Sequence, residues 1–498
     1  MSQQTPVAPS AATESGSLAV GRLKVWDIVF FVMSAAAPLT VVVSAAPLAF
    51  YLGGIGAPIA MLVCAIILIL FAVGFTAMST HVRNAGAFYA YVGKGLGKPA
   101  GIGIALVTVL SYSILAVAFY AFIGFFGSLT VQGLLGFSIP WWVYTMIAVI
   151  FVSILGFNKI DVGAKVLAVL LTAEVGILLI LSLAVLFQGG PEPMSLIPLD
   201  PRQMFLGGGI SALLVIGFGA FLGFEGTAIY AEEAVNPKRT IPLATYIAVG
   251  FLGVFYAFTF WVVTVAFGVE GLMNLLTSDD FSPDELIPTA GHEYLGEWAS
   301  TMILILIVTS FFACVLAFHN ACTRYLFALG REGIMPRILA RTRKGTGAPY
   351  IASTVLSAIA AVIVICAAVL GADPYLQLAI WTYAVGVAGL VFAQAVAAIS
   401  VVGFFSKDRR GHSLFRVLIA PTLGALGLIT GFILIVLNFG VVSGLEGPIN
   451  WILLAPTPIL FIAGIVAGFM MKSNNPAKYD SLMQSIPDDE DEKETSTA

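Results

Sequence analysis

Charge is scarce in this chain. Asp, Glu, Lys and Arg make up 10% of its 498 residues, against 59% hydrophobic residues and a mean hydropathy of +1.00. A soluble domain carries roughly 25% charged residues, which excludes a water-exposed globular fold. Cysteine is scarcer still. Cys64, Cys314, Cys322 and Cys366 all lie inside apolar runs, with no CxxC pair and no His/Cys cluster of the metal-site kind. They read as small packing residues rather than a disulfide framework. The histidines (His81, His292, His319, His412) are scattered, and neither HExxH nor GxxxxGK(S/T) occurs. That argues against an embedded hydrolase and against an ATP-driven pump. Repeated filter segments and rings of charge, which a channel needs, are also missing. No metal, no cofactor and no nucleic-acid partner is expected.

What the chain has in abundance is apolar runs of about 20 residues, each long enough to cross a bilayer. They lack the period-two alternation and ten-residue length of barrel strands, so they predict helices. The expected fold is an all-α integral membrane protein with twelve spans. These fall near 25–51, 56–80, 99–128, 140–157, 162–187, 205–231, 242–268, 298–328, 350–370, 375–404, 413–439 and 450–471. The domain reading is a tail over 1–20, a membrane domain over 21–472 and an acidic tail over 473–498, with both tails disordered. Residues 1–20 lack the basic start and short apolar core of a signal peptide.

The cations test the count. Of 23 Lys and Arg, Arg202 alone falls between spans on one side. The others fall before span 1, after the even-numbered spans or, as with Lys165, at a span edge. The cationic side is the cytoplasmic one, so both termini are expected there, in a multi-pass protein of the plasma membrane. The loop from 269 to 298 holds Glu270, Asp279, Asp280, Asp284, Glu285, Glu293 and Glu297 and no Lys or Arg, as an outside loop should.

Two spans carry helix breakers. Span 1 contains Ser34-Ala35-Ala36-Ala37-Pro38, where proline removes a backbone donor. Span 6 contains Gly217-Phe218-Gly219-Ala220, expected to unwind. Breaks at matched positions in two halves point to a midplane substrate site. The resumed half of span 1 would offer free amides and a positive dipole end to a carboxylate. Two acids lie at membrane depth, Glu174 in span 5 and Glu225 after the second break. Intramembrane acids are functional candidates by default, as proton carriers, as amine partners, or as neutral acids bonded to a neighbouring helix. Phe218, Phe221 and Phe224 bracket the break, as gates or as packing residues. His319 reads as a packing residue and Arg324 as a snorkelling one.

The stretch GFGAFLGFEGTAIYAEEAVNPKRTIP resembles the span 6 signature of the amino acid–polyamine–organocation superfamily of permeases. RNAGAFYAYVGKGLGKPAG (Arg83 to Gly101) is similar to that family's loop after span 2, and NACTRYLFALGREGIMP (Asn320 to Pro336) to its loop after span 8. The resemblance implies an inverted five-plus-five repeat with two peripheral helices, working by alternating access. It implies that Ser34, Ala35, Ala36, Ala37 and Pro38 cradle the substrate carboxylate. Phe218, Gly219 and Ala220 would face its amine, and Phe221 would be a gate. The glycine-rich segment common in the family's first helix is Ser-Ala-Ala-Ala-Pro here. Glu174 stands near the place of a lysine that some relatives use in place of a sodium ion. The function expected is secondary active transport of an amino acid, with proton-coupled uptake first and a sodium gradient as the other driving force. Polyamine or amine uptake, amino acid exchange, or a non-transporting sensor on the same fold are the alternatives.

Overall fold

The computed structural model describes residues 21–483 except 83, 85, 158–159, 207–208, 279–284 and 344–345. The expectations for Arg83, Lys159, Lys344, Asp279, Asp280 and Asp284, and for the tails before 21 and after 483, fall outside the described residues. Among the described residues the chain is helical without β-strands, and one isolated bridge joins Leu23 to Ala234. Ten helical stretches among the described residues are long and apolar enough to cross a membrane. One of them, Val25–Ser79, runs 55 residues and covers the first two expected spans, while the span expected at 140–157 is a shorter helix of 16 residues, Trp141–Gly156.

The first span is interrupted. α1 (Val25–Ala36) ends at Ala37; α2 (Pro38–Thr40), a π turn (Val41–Ala45) and α3 (Ala46–Gly53) carry the chain on. α4 (Ala57–Ser79), α5 (Phe88–Gly95), α6 (Lys98–Leu135), α7 (Trp141–Gly156) and α8 (Ile160–Gln188) follow. α9 (Gln203–Leu206) leads to α10 (Ile210–Ala220), a turn and a 3-10 helix, Phe224–Glu232. Next come α11 (Pro237–Phe267), α12 (Val269–Leu276), α13 (Leu286–Leu295), α14 (Glu297–Arg331) and α15 (Tyr350–Val369). A π turn (Pro374–Ala379) opens α16 (Ile380–Phe405), and α17 (Ala420–Leu437), α18 (Phe439–Ser443), α19 (Ile449–Leu454), α20 (Pro456–Asn474) and α21 (Pro476–Asp480) complete the chain.

α6 packs against α14, α16 and α20, while α4 packs against α11 and α17. With lipid on the outside, close backbone approach drives such packing more than hydrophobicity does. At the α6–α20 crossing a Cβ on Gly464 would lie 2.5 Å from the Gly103 Cα. Nothing larger than hydrogen fits there. α1 lies against both α8 and α14, and the loop read as an acidic outside face contains α12 and α13, the latter packed on α14 and α8.

Two expectations are corrected. Gly217 to Ala220 are not unwound. α10 stays helical through Ala220, and the turn comes at Phe221–Gly223, with Gly223 at φ 105°. The two earlier glycines serve close approach: a Cβ on Gly217 would lie 2.6 Å from the Cys64 Sγ, and one on Gly219 would strike the Tyr383 hydroxyl. Gly223 is the residue whose missing Cβ permits the left-handed turn. The second correction concerns the segment from 473. The chain is structured to Met483: Asn475 caps α21 by accepting the Lys478 amide at 3.1 Å, and Leu482 and Met483 are buried. Lys98 Nζ holds the Tyr479 carbonyl at 2.8 Å, and the Met483 amide donates to Glu332 at 2.7 Å. Met483 fills space left by the absent side chains of Gly93 and Gly101. The acidic composition that predicted disorder belongs to residues further on.

Candidate functional site

The first break is set by local chemistry. Pro38 disfavours the right-handed helical region for the residue before it, and Ala37 adopts φ 45° and ψ 74°. A left-handed alanine costs about 1–2 kcal/mol, and the exposed carbonyls of the interrupted helix need donors. Neighbouring helices supply those donors. Tyr256 donates its hydroxyl to the Ala36 carbonyl at 3.0 Å, and Cys314 its thiol to the Ala35 carbonyl at 3.0 Å. The helix restarts with Pro38 in its first turn, where a missing N–H does no harm. The Leu39 and Thr40 amides then stand at its positive end.

Between the two breaks lies a cavity of about 70 Å³. Ala35, Ala36, Ala37 and Gly219 line it, so the structure brings the two expected segments to one place. The remaining expected residues sit elsewhere. The Ser34 hydroxyl donates to the Leu167 carbonyl at 3.4 Å. Pro38 and Ala220 are buried outside the lining. Phe218 points to α17, where a Cβ on Gly431 would meet its ring. Phe221 packs edge-on against Tyr256 at 5.5 Å, and Phe224 edge-on against Phe71 at 5.9 Å.

Sequence reasoning missed most of the wall. Phe119 and Phe122 come from α6, Phe311 from α14, and Tyr375 and Tyr383 from the Pro374–Phe405 stretch. Phe122 stacks on Phe311 with centroids 4.8 Å apart, and Phe126 stacks on the same ring at 5.3 Å. The signal was present in AFYAFIGFF (Ala118 to Phe126), where Phe119, Phe122 and Phe126 follow a helical face.

The two acids have different surroundings. Glu225 is fully engaged: it accepts from the Tyr112 hydroxyl at 3.1 Å, the Gly223 amide at 3.1 Å and the Gln394 side chain at 3.3 Å. It closes the turn of its own broken helix and joins that turn to α6 and α16. Glu174 is 0% exposed and accepts from the Ser310 hydroxyl at 2.7 Å; Ser310 in turn accepts from Thr40 at 2.9 Å. The Leu39 amide faces the same carboxylate, yet Glu174 Oε1 has no hydrogen-bond partner. Thr40 lines the cavity. A hydrogen-bonded path of two hydroxyls therefore runs from the cavity wall to an underused buried carboxylate.

One end of the bundle is closed by ion pairs. Arg324, which is 5% exposed, pairs with Glu233, 2% exposed, and its guanidinium lies over the Tyr230 ring at 5.2 Å. Tyr230 stacks on Phe31 of α1 at 5.0 Å. Two turns further along α14, Arg331 grips Glu232 with bonds of 2.8 and 2.6 Å. The Arg22 and Leu23 amides donate to the Glu233 carbonyl at 2.9 and 3.0 Å. The outer ends of the two broken helices are thus tied to each other and to α14. Arg324 is paired inside the protein and does not snorkel. His319 behaves as the packing residue expected, with Nε2 2.8 Å from the Ser353 hydroxyl.

Two of the scattered histidines meet beyond the helix ends. His81 Nε2 lies 3.1 Å from His412 Nε2. That hydrogen bond needs one bare ring nitrogen, so it cannot survive protonation of both rings. Burial, then Arg410, His412, Lys238 and Arg416, hold His81 below its ordinary 6.5, and burial and Arg416 lower His412. With folded values below the unfolded one, this contribution to stability is fully present above pH 6.5 and is lost as the pH falls toward the folded values. The thermal midpoint of the purified protein is expected to drop on acidification below that point, and His412→Gln to flatten the drop. An unchanged slope in the variant would refute the assignment.

Membrane-length helices, two of them broken around one aromatic-walled cavity, define a multi-pass membrane permease. The chain belongs to the amino acid permease family, whose pattern matches residues 27–480. It is similar to a histidine permease of Lactococcus lactis subsp. cremoris (strain MG1363), 26% identical over 307 residues, covering 57% of this chain and 60% of that protein. It is similar to a branched-chain amino acid permease of Bacillus subtilis (strain 168), 25% identical over 327 residues, covering 60% and 65%. A low-affinity putrescine importer of Escherichia coli (strain K12) is 22% identical over 280 residues, covering 54% and 59%. The chain thus spans 59% to 65% of the length of these three relatives. The family is one of transporters, not enzymes, and its substrates are small molecules.

Proposed function

We propose that this protein is a secondary transporter that takes up an amino acid by alternating access, driven by a proton gradient. The substrate sits between the breaks, with its carboxylate toward Ala35–Ala37 and the amides that follow Pro38. Its amine faces Gly219 and the end of α10. Twelve crossings in an inverted repeat of five and five, with two outer helices, place these breaks at matched depth. Both termini lie in the cytoplasm at the plasma membrane, and the Arg324–Glu233 and Arg331–Glu232 pairs form the cytoplasmic gate. Glu174 carries the proton. The observation that carries this reading is the Thr40–Ser310–Glu174 path. It joins the cavity wall to a buried carboxylate with an unpartnered oxygen.

The test is uptake into proteoliposomes of a panel of labelled amino acids and polyamines, with and without an inward proton gradient or a sodium gradient. Accumulation of an amino acid against its gradient, requiring the proton gradient, is the expected outcome. Gradient-independent exchange would make the protein an antiporter. Accumulation of a diamine alone would make it an amine importer, and binding without movement a sensor.

A further inference from the structure

The cavity wall narrows the substrate. Three sets of observations bear on the part of the site that meets the substrate's side chain. First, among the described residues the lining contains no Asp, Glu, Lys, Arg or His. Second, much of its side-chain hydrogen bonding is already committed. Thr40 donates to Ser310 at 2.9 Å, Ser44 to the Thr40 carbonyl at 2.7 Å, and Cys314 to the Ala35 carbonyl at 3.0 Å. Third, the aromatic rings of the wall pack largely against one another. Phe122 and Phe126 both stack on Phe311, at 4.8 and 5.3 Å, and Tyr375 lies against Phe125 at 4.7 Å.

An ammonium or guanidinium entering such a wall would lose its hydration with no counter-charge to replace it, a heavy penalty in a site of low dielectric. An apolar side chain entering the same wall gains by leaving water. Glu174 does not alter this balance, because Ser310 and the lining residue Thr40 stand between its carboxylate and the cavity. Size adds a bound. At about 10–15 Å³ for each water-sized occupant, a cavity of about 70 Å³ holds about five to seven of them, which suits a small molecule.

We infer that the substrate is a zwitterionic amino acid with an uncharged, apolar side chain of small to medium size. Phe119, Phe122, Phe311 and Val215 form the wall that side chain meets. This rests on the transport reading above and names its substrate class. It separates this chain from the specificity for a diamine or a charged side chain.

The experiment uses full-length protein in proteoliposomes loaded with unlabelled alanine, valine or leucine, with counterflow of the matching labelled amino acid as readout. Lysine, arginine, putrescine, methionine and phenylalanine serve as external competitors. Methionine should compete at least about tenfold better than lysine or putrescine, a difference of ~1.4 kcal/mol. Val215→Asp, which adds a carboxylate to the wall, should narrow or reverse that ratio. Phe122→Leu, which keeps an apolar wall and guards against misfolding, should weaken methionine and phenylalanine and still leave methionine ahead of lysine and putrescine. Lysine or putrescine competing as well as methionine, with counterflow intact, would overturn the substrate class and leave the transport reading standing. No counterflow and no binding of any panel member would overturn both.

Discussion

In proteoliposomes with an inward gradient of two pH units, the wild-type protein should accumulate its substrate up to about 100-fold, and Glu174→Gln should bring that to about onefold. The arithmetic is thermodynamic: one pH unit is worth about 1.36 kcal/mol, so one proton moved per substrate multiplies the attainable ratio by about ten per unit. Glutamine keeps the volume and can still accept from Ser310, so the Thr40–Ser310 link and the fold around the first break should persist. Counterflow of labelled substrate, which needs no net proton movement, should therefore continue. That split is the signature of a coupling residue. Loss of both accumulation and counterflow would make Glu174 a structural or substrate-binding group. Retention of both would remove it from the mechanism and leave Glu225, or no intramembrane acid, as the carrier. Glu225 is the weaker candidate because three donors already hold its oxygens.

The second large effect is on stability. Arg324→Ala leaves Glu233 buried with its only neighbouring guanidinium gone among the described ion pairs. Breaking a buried pair from one side costs about 3–5 kcal/mol. A marked fall in the thermal midpoint of the detergent-solubilised protein is expected. The double variant Arg324→Gln with Glu233→Gln removes both charges and should recover much of the loss. A double variant as unstable as Arg324→Ala would mean that the cost lies in the lost packing over Tyr230 instead. Arg331→Ala should cost less, because its side chain is 28% exposed against 6% for Arg324, and an exposed pair is worth less.

Several features were legible because their causes are local. The lengths of the apolar runs placed nearly every membrane-length helix, since crossing a bilayer demands about 20 apolar residues whatever the partners. The helices at 57–79, 350–369 and 374–405 begin and end within a residue or two of their expected limits. Pro38 located the first break, because proline acts on its own helix and on the residue before it. Gly217–Ala220 misled because a glycine in a membrane helix has two uses, turning and close approach. Only the neighbours tell them apart. Here Cys64 and Tyr383 occupy the space that side chains on Gly217 and Gly219 would need, and Gly223 makes the turn.

By itself, then, the sequence determined an all-helical membrane protein, the approximate limits of its helices, the break at Pro38 and the two acids worth attention. These follow from composition, run length and single-residue backbone chemistry, all of which act over a few neighbouring positions. The tertiary structure decided which residues share the cavity, which acid is engaged and which is left with a free oxygen, and what closes the bundle at one end. Those outcomes depend on partners far apart in the chain: Thr40 and Ser310 are 270 residues apart, Ser310 and Glu174 136 apart, and Arg324 and Glu233 91 apart. No local pattern records such a meeting. It is settled by which helix faces can approach closely enough to pack, and so by the fold as a whole.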